Sequence, residues 1–289
     1  MPEIGEYDFQ PPSTESSGSG GDGPHFVRAA LIIAGIAILA GIGYFVFALR
    51  SAPSKAPATA TTASPQAVRP PADDVERINL PALDDSDALV RQRVGVLSSH
   101  PLVSAWLATN GLIRNFVVVI DNIAHGVSPS KHLRVLRPGG EFRIVRRGDR
   151  LVIDPRNYDR YSRIVGAAAT IDPRLAARTY ETFKPLLQSA YDELGNQEPI
   201  DRALERAIVA LLQVPAVDGD VRVVQAGEGI GYEYEDDKLE ALTGAQKQLL
   251  RMGASNVRAI QQQLRMFGLT LGIPAQRLSR NAVATFLAT

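Results

Sequence analysis

Residues 111–126 read GLIRNFVVVIDNIAHG. Ile113, Phe116, Val117, Ile120, Ile123 and Ala124 recur at intervals of three and four, the spacing of one face of an α-helix. Gly111 and Gly126 punctuate the run at its two ends. His125, just before Gly126, falls where a helix exposes its last carbonyls and attracts positive charge.

The same period extends in both directions. Upstream, Ser86 stands as an N-cap ahead of Leu89, Val90, Val94 and Leu97, and Pro101 opens a helix carrying Leu102, Trp106 and Leu107. Downstream, Asp172-Pro173 is a helix start, and the helix it opens runs to about Leu194 before Gly195. Pro185 inside that run is expected to kink or split it. A further helix covers about Pro199 to Gln213. Thr243 caps a short one, Ser255 or Asn256 caps a longer one through Phe267, and Asn281 to Leu287 adds a last turn or two. Strand signals are few. Glu141 to Arg146 and Arg150 to Asp154 alternate about Arg147-Gly148-Asp149 as a hairpin, and Val221 to Gln225 and Ile230 to Glu235 are weaker. No repeat and no βαβ alternation appears, so a doubly wound nucleotide fold is not expected. The fold class is mainly α, a multi-helix globular domain with a small β-hairpin, over residues 78–289.

Ahead of this domain, Ala29 to Leu49 reads AALIIAGIAILAGIGYFVFAL without a charge, bracketed by Arg28 and Arg50. Its length at helical rise is about 31 Å, close to the hydrocarbon core of a bilayer. We expect one transmembrane helix over residues 29–49, with the lipid bilayer as its partner. Residues 1–25 are a Gly/Ser-rich acidic tail, expected to be disordered. Residues 51–77 form a Pro/Ala-rich linker, and its first 22 residues, 51–72, reach up to about 70 Å when extended. Arg28 precedes the span, whereas Arg50, Lys55 and Arg69 follow it, a slight lean towards a cytoplasmic C-terminus. The spacer composition argues the other way. The expectation is a single-pass cell inner membrane protein with its domain in the periplasm.

Lys plus Arg and Asp plus Glu both number 31, so the whole-chain cationic excess that marks nucleic-acid binders is missing. There is no cysteine, which excludes disulfides, thiolate metal sites and a cysteine nucleophile. Charge is nonetheless segregated. Lys131, Arg134, Arg137, Arg143, Arg146, Arg147, Arg150, Arg156, Arg160 and Arg163 are interrupted only by Glu141, Asp149, Asp154 and Asp159. Glu228, Glu233, Glu235, Asp236, Asp237 and Glu240 form an acidic block. The basic stretch is a candidate surface for an envelope protein, an anionic polymer or a lipid headgroup. The plainer alternative is that the two blocks pair within the fold.

Several motifs resemble one family. LPxLDxSD at Leu80 to Asp87, Trp106-Leu107, VVxIDNIAxG around Val118 to Gly126, SPxKHLxxLRP from Ser128 to Pro138 and QLLRMG from Gln248 to Gly253 occur in the order seen in the bacterial domain-of-unknown-function 3014 family. The resemblance covers roughly residues 78–268. It implies a membrane-anchored bacterial protein, and it carries over no reaction, substrate or catalytic residue.

Two constellations invite a catalytic reading. Asp121 and His125 lie one helical turn apart, with Lys131 and His132 following, a set suited to acid–base chemistry or zinc. No HExxH spacing accompanies them, and neither a metal nor a cofactor is expected. Ser128-Pro129-Ser130-Lys131 fits S-x-x-K, but KTG and SDN are absent, and Ser128 capping a helix that starts at Pro129 explains the same residues. Gly227, Gly229 and Gly231 lack the Lys-Ser/Thr of a phosphate loop and are expected to form a turn. The expectation is therefore a binding or scaffolding module rather than an enzyme, with a membrane-tethered hydrolase or transferase near Asp121–His132 as the alternative.

Overall fold

Leu112, Ile113, Phe116, Val117, Val119, Ile120 and Ile123 are all buried in the helix Leu112–Ala124. An apolar surface this wide needs more than one covering helix. In the computed structural model, which describes residues 79–227 and 231–279, the cover comes from Pro173–Glu193 and Ile200–Leu212 together. In chain order the helices are α1 Asp87–Gly95, α2 Pro101–Leu107, α3 Leu112–Ala124, α4 Arg156–Asp159, α5 Ser162–Ala169, α6 Pro173–Glu193, α7 Ile200–Leu212, α8 Asp237–Glu240, α9 Gly244–Leu250 and α10 Ala254–Thr270. The strands are β1 Ile144–Arg147, β2 Arg150–Ile153, β3 Arg222–Gln225 and β4 Tyr232–Tyr234. Helices α6 and α7 contact both α3 and α10, and α10 also packs on α5.

Helix α6 runs unbroken through Pro185, so the proline does not split it. Its buried residues, Ala176, Ala177, Tyr180, Phe183, Leu187, Ala190 and Tyr191, keep one stripe in phase across the proline. Pro185 is exposed. The helix therefore loses one backbone hydrogen bond at its wet surface while its packed face stays continuous.

Two helix starts differ from expectation. Ser86 occupies the N-cap position of α1, but its hydroxyl donates to the Leu83 carbonyl at 2.7 Å instead of accepting from the helix. Asp87 caps a different helix. Its carboxylate accepts from Gly111 N and Leu112 N, each at 2.8 Å, at the start of α3. The same carboxylate meets Arg91, whose guanidinium donates to the carbonyls of Leu107 and Thr109 at 2.8 Å. One ion pair thus closes the end of α2 and the start of α3. At α10 the N-cap is Gly253, not Ser255 or Asn256. The Asn256 side chain is engaged elsewhere, donating to the carbonyls of Tyr158 and Met252. The other caps agree: His100 and Pro101 open α2, Asp172 opens α6, and Thr243 forms a capping box with Gln246.

The expected hairpin is half of a four-stranded antiparallel sheet in the order β1-β2-β3-β4, and the weaker strand signals after Val221 and before Glu235 appear as β3 and β4. Val152 pairs with Arg222 and Leu151 with Val223, joining two hairpins far apart in sequence. Ile153, Val223 and Tyr234 lie against the helical core. β1 starts at Ile144 rather than Glu141 because the buried Asn157 side chain takes the backbone of Arg143. It accepts from Arg143 N at 2.9 Å and donates to Arg143 O.

Among the described residues no single helix is long and apolar enough to cross a membrane. Helices α2 and α3 pass such a test only as a pair bent by 107°, and their apolar side chains are spent on the core. The expected tail, transmembrane helix and linker, with the last turn after Asn281, lie outside the described residues.

Two stability measurements check these joints. Asp87→Ala should cost about 2 kcal/mol in urea unfolding, since it removes a helix cap and leaves Arg91 without its carboxylate. The second concerns pH. His100 Nδ1 accepts the Leu102 N–H at 3.2 Å, so the cap needs a neutral ring. Burial, then the nearby Arg163 charge, holds the imidazole below its ordinary 6.5. The unfolded chain therefore binds the proton first, and stability should fall as pH drops below about 6.5. His100→Asn, which keeps a capping acceptor without titrating, should flatten that part of the profile.

Candidate functional site

The end of α3 closes as a Schellman turn. Gly126, at φ 73°, donates to Ile123 O, and Val127 N donates to Asn122 O at 2.7 Å. His125 is the C-cap residue, as its place before Gly126 suggested. Its Nδ1 lies 2.9 Å from the Asp121 carbonyl and 3.3 Å from the Asp121 carboxylate. The carboxylate also meets the Asn196 amide at 3.4 Å. His125 is exposed, and so are Lys131 and His132, which come after the turn. No hydrogen bond or ion pair among the described residues links Lys131 or His132 to Asp121 or His125. No group of three or more His, Asp or Glu side chains there is arranged to hold a metal. The alternative catalytic set is thus an exposed helix terminus beside a loop.

Ser128 does not cap a helix. Its hydroxyl donates to Gln248 Oε1 at 2.7 Å, and an amide oxygen cannot take the proton of a nucleophile. The residues beyond it form two consecutive 3₁₀ turns, Ser130–His132 and Arg134–Leu136. A 3₁₀ turn stacks residues three apart. Ser130, Leu133 and Leu136 are buried, the two leucines to 1 % exposure. Lys131, Arg134 and Arg137, one position on in the same period, are all exposed. Val127 and Val135, 52 % and 37 % exposed, lie in the same segment.

The hairpin tip adds more cations. Arg147 pairs with Arg150 across the two-residue turn Gly148-Asp149, with Gly148 at φ 64°. Like charges directly opposed on a sheet are unfavourable by about 0.2–1 kcal/mol. Asp220 offsets one of them, 2.5 Å from Arg147. Elsewhere in the stretch, Arg156 donates to the buried Asp154 at 2.8 Å, and this guanidinium holds the Asp154 carboxyl below its usual range. Arg160 binds the carbonyls of Gly139 and Gly140. Arg143 is exposed near Asp154. Among the described residues Lys131, Arg134, Arg137, Arg146 and Arg150 make no ion pair or side-chain hydrogen bond.

Among the described residues the acidic block does not neutralise them: Glu235 pairs with Arg222 and Glu240 with Lys247, while Asp236 caps α8. The sequence signal for the ridge was a three-residue period, Ser-Leu-Leu against Lys-Arg-Arg, hidden under a total charge count.

The remaining motif residues serve joints. Asp84 pairs with Arg114, 2.7 Å away, and Arg114 also binds Glu193 on α6. Gly126 O accepts from Ala245 N at 3.1 Å, and a Cβ on Gly126 would meet Thr243 at 2.9 Å. A Cβ on Gly253, at φ 84°, would lie 2.5 Å from the Tyr158 ring. Two cavities among the described residues are lined by none of these candidates. One is apolar, between α1, α2, α3 and α6, lined by Val90, Trp106 and Phe183 among others. Another, of about 170 Å³, is lined by Tyr180, Glu181, Asp201, Glu205 and the Leu271–Pro274 turn. In it Tyr180 donates to Asp201 at 2.7 Å, and Lys184 and Arg277 neutralise Asp201 and Glu205.

These assignments predict opposite outcomes for two motif substitutions. Gly253→Ala should destabilise by about 3 kcal/mol, combining overpacking with backbone strain. Asp121→Asn with His125→Ala should shift stability by less than about 1 kcal/mol, as for an exposed pair. Thermal unfolding of the two variants checks both.

Against known proteins, the family model described as "Protein of unknown function (DUF3014)" matches residues 112–267, from the first residue of α3 to the buried Phe267 of α10. No curated protein and no solved structure matches the chain. The match takes in the ridge, the hairpin, the covering helices α6 and α7 and most of α10, while α1 and α2 precede it. It spans more than half of the 289 residues, and the chain belongs to the DUF3014 family.

Proposed function

We propose that this is a non-catalytic binding module, held to a membrane through residues 29–49, whose cationic ridge takes an anionic partner. One observation carries the reading. Lys131, Arg134 and Arg137 are all exposed and have no carboxylate partner among the described residues, while Leu133 and Leu136 between them are buried. Elsewhere the domain's cations are widely engaged, as in Arg114 with Asp84 and Glu193, Arg206 with Glu198, and Arg258 with Asp218. Exposed like charges cost little when solvated, but a fixed row of them makes a positive potential that selects anions. A hydrolase or transferase near Asp121–His132 has less support, because among the described residues no hydrogen bond or ion pair joins Lys131 or His132 to Asp121 or His125, and those side chains line neither of the two cavities described. The uncharged segment at 29–49 and the linker to residue 77 support the tether, and a domain exposed at the envelope side remains the expected layout.

The test is retention of the detergent-solubilised full chain on a dextran sulfate matrix. The wild type should be held at low salt and released as salt screens the attraction. Lys131→Gln, Arg134→Gln and Arg137→Gln together should weaken binding roughly hundredfold, at about 1 kcal/mol per lost charge. Asp121→Asn with His125→Ala should leave it unchanged. Equal retention of the triple variant and the wild type would refute the ridge.

A further inference from the structure

Resting on that reading, we infer that the ridge docks on anionic phospholipid headgroups of the membrane that tethers it, with Val127 and Val135 entering the interface. Charge alone suits any polyanion. The two valines distinguish the partners. Val127 is the residue after the Schellman glycine, where an apolar side chain ordinarily folds back on its helix. Here it stays 52 % exposed. Val135 follows Arg134 in the second 3₁₀ turn and is 37 % exposed, although Leu133 and Leu136 on either side are fully packed. A soluble polymer leaves both valines in water. A bilayer offers headgroup phosphates to Lys131, Arg134 and Arg137 and, just below them, an apolar layer for the valines.

The chain outside the described residues points to the same occupant. The linker of residues 51–77 ends where the domain begins, and the uncharged segment precedes it by a single arginine. A domain on a linker of this length meets its own membrane at high effective concentration, so weak contacts suffice. The segment is also anchored from behind. Leu133, Leu136, Pro129 and Pro138 are buried, and Ser128 is tied to Gln248, so the ridge is presented on a fixed base rather than a loose loop.

The sequence contains no cysteine, so Val135→Cys accepts a single polarity-sensitive dye. Full-length labelled protein is reconstituted into lipid nanodiscs that are either zwitterionic or enriched in phosphatidylglycerol. In the anionic discs the emission should shift to the blue and be quenched by lipids carrying a quencher in the upper acyl chain. Both signals should be lost in 1 M salt, where screening acts within about 3 Å. They should also be lost in the Lys131→Gln, Arg134→Gln, Arg137→Gln background, and be weakened several-fold by Val127→Asp. If the dye stays in water on anionic discs while the chain still binds dextran sulfate through the same three residues, the lipid inference falls and the ridge survives with a soluble polymer as its partner. Failure of both assays removes both. A chain that does not co-purify with the discs has no tether, and the inference fails with it.

Discussion

The architecture depends on the burial of α3. Its apolar residues occupy too much of its circumference for one neighbour, and α6 and α7 must both reach it. Those two helices then offer their other sides to α10, which reaches back to α5. Non-directional burial selects such a bundle but does not fix angles or ends. The polar joints do that. Asp87 and Arg91 settle where α2 stops and α3 starts. Gln261, itself buried, donates to the carbonyls of Leu211, Leu212 and Val214, and so closes the end of α7 from within α10.

What the sequence disclosed follows from the range of each interaction. The apolar face of α3, the Asp172-Pro173 start and the Thr243 cap are local, and all three appear where the residues place them. The pairing of β2 with β3 joins residues about seventy positions apart, and four-residue strands carry no signal of their partner. Asp87 capping a helix 24 residues away is equally invisible locally, because a cap is expected to serve the helix it precedes. Pro185 misled for a different reason. A propensity rule counts the missing donor, while the packed stripe on the other side of α6 decides the outcome.

The site was partly legible. The excess of cations between Lys131 and Arg163 was plain, but charge counts do not separate engaged guanidiniums from free ones. Arg156 and Arg160 spend their donors on Asp154 and on two glycine carbonyls. Lys131, Arg134 and Arg137 do not, because a three-residue turn directs Ser130, Leu133 and Leu136 inward and leaves the next position outward. The S-x-x-K and Asp–His patterns show the complementary point. Asp121 and His125 do meet, but the Schellman turn at Gly126 lies between them and Lys131 and His132, and Ser128 gives its hydroxyl proton to the Gln248 amide oxygen.

The central claim is that residues 127–137 are the working surface of the domain. Hydrogen exchange on the full chain in anionic and in zwitterionic nanodiscs measures this without altering a residue. The account predicts slower exchange confined to residues 127–150 in the anionic discs, reversed by salt. Protection appearing instead around the apolar cavity near Trp106, or an identical exchange map on both kinds of disc, would contradict it.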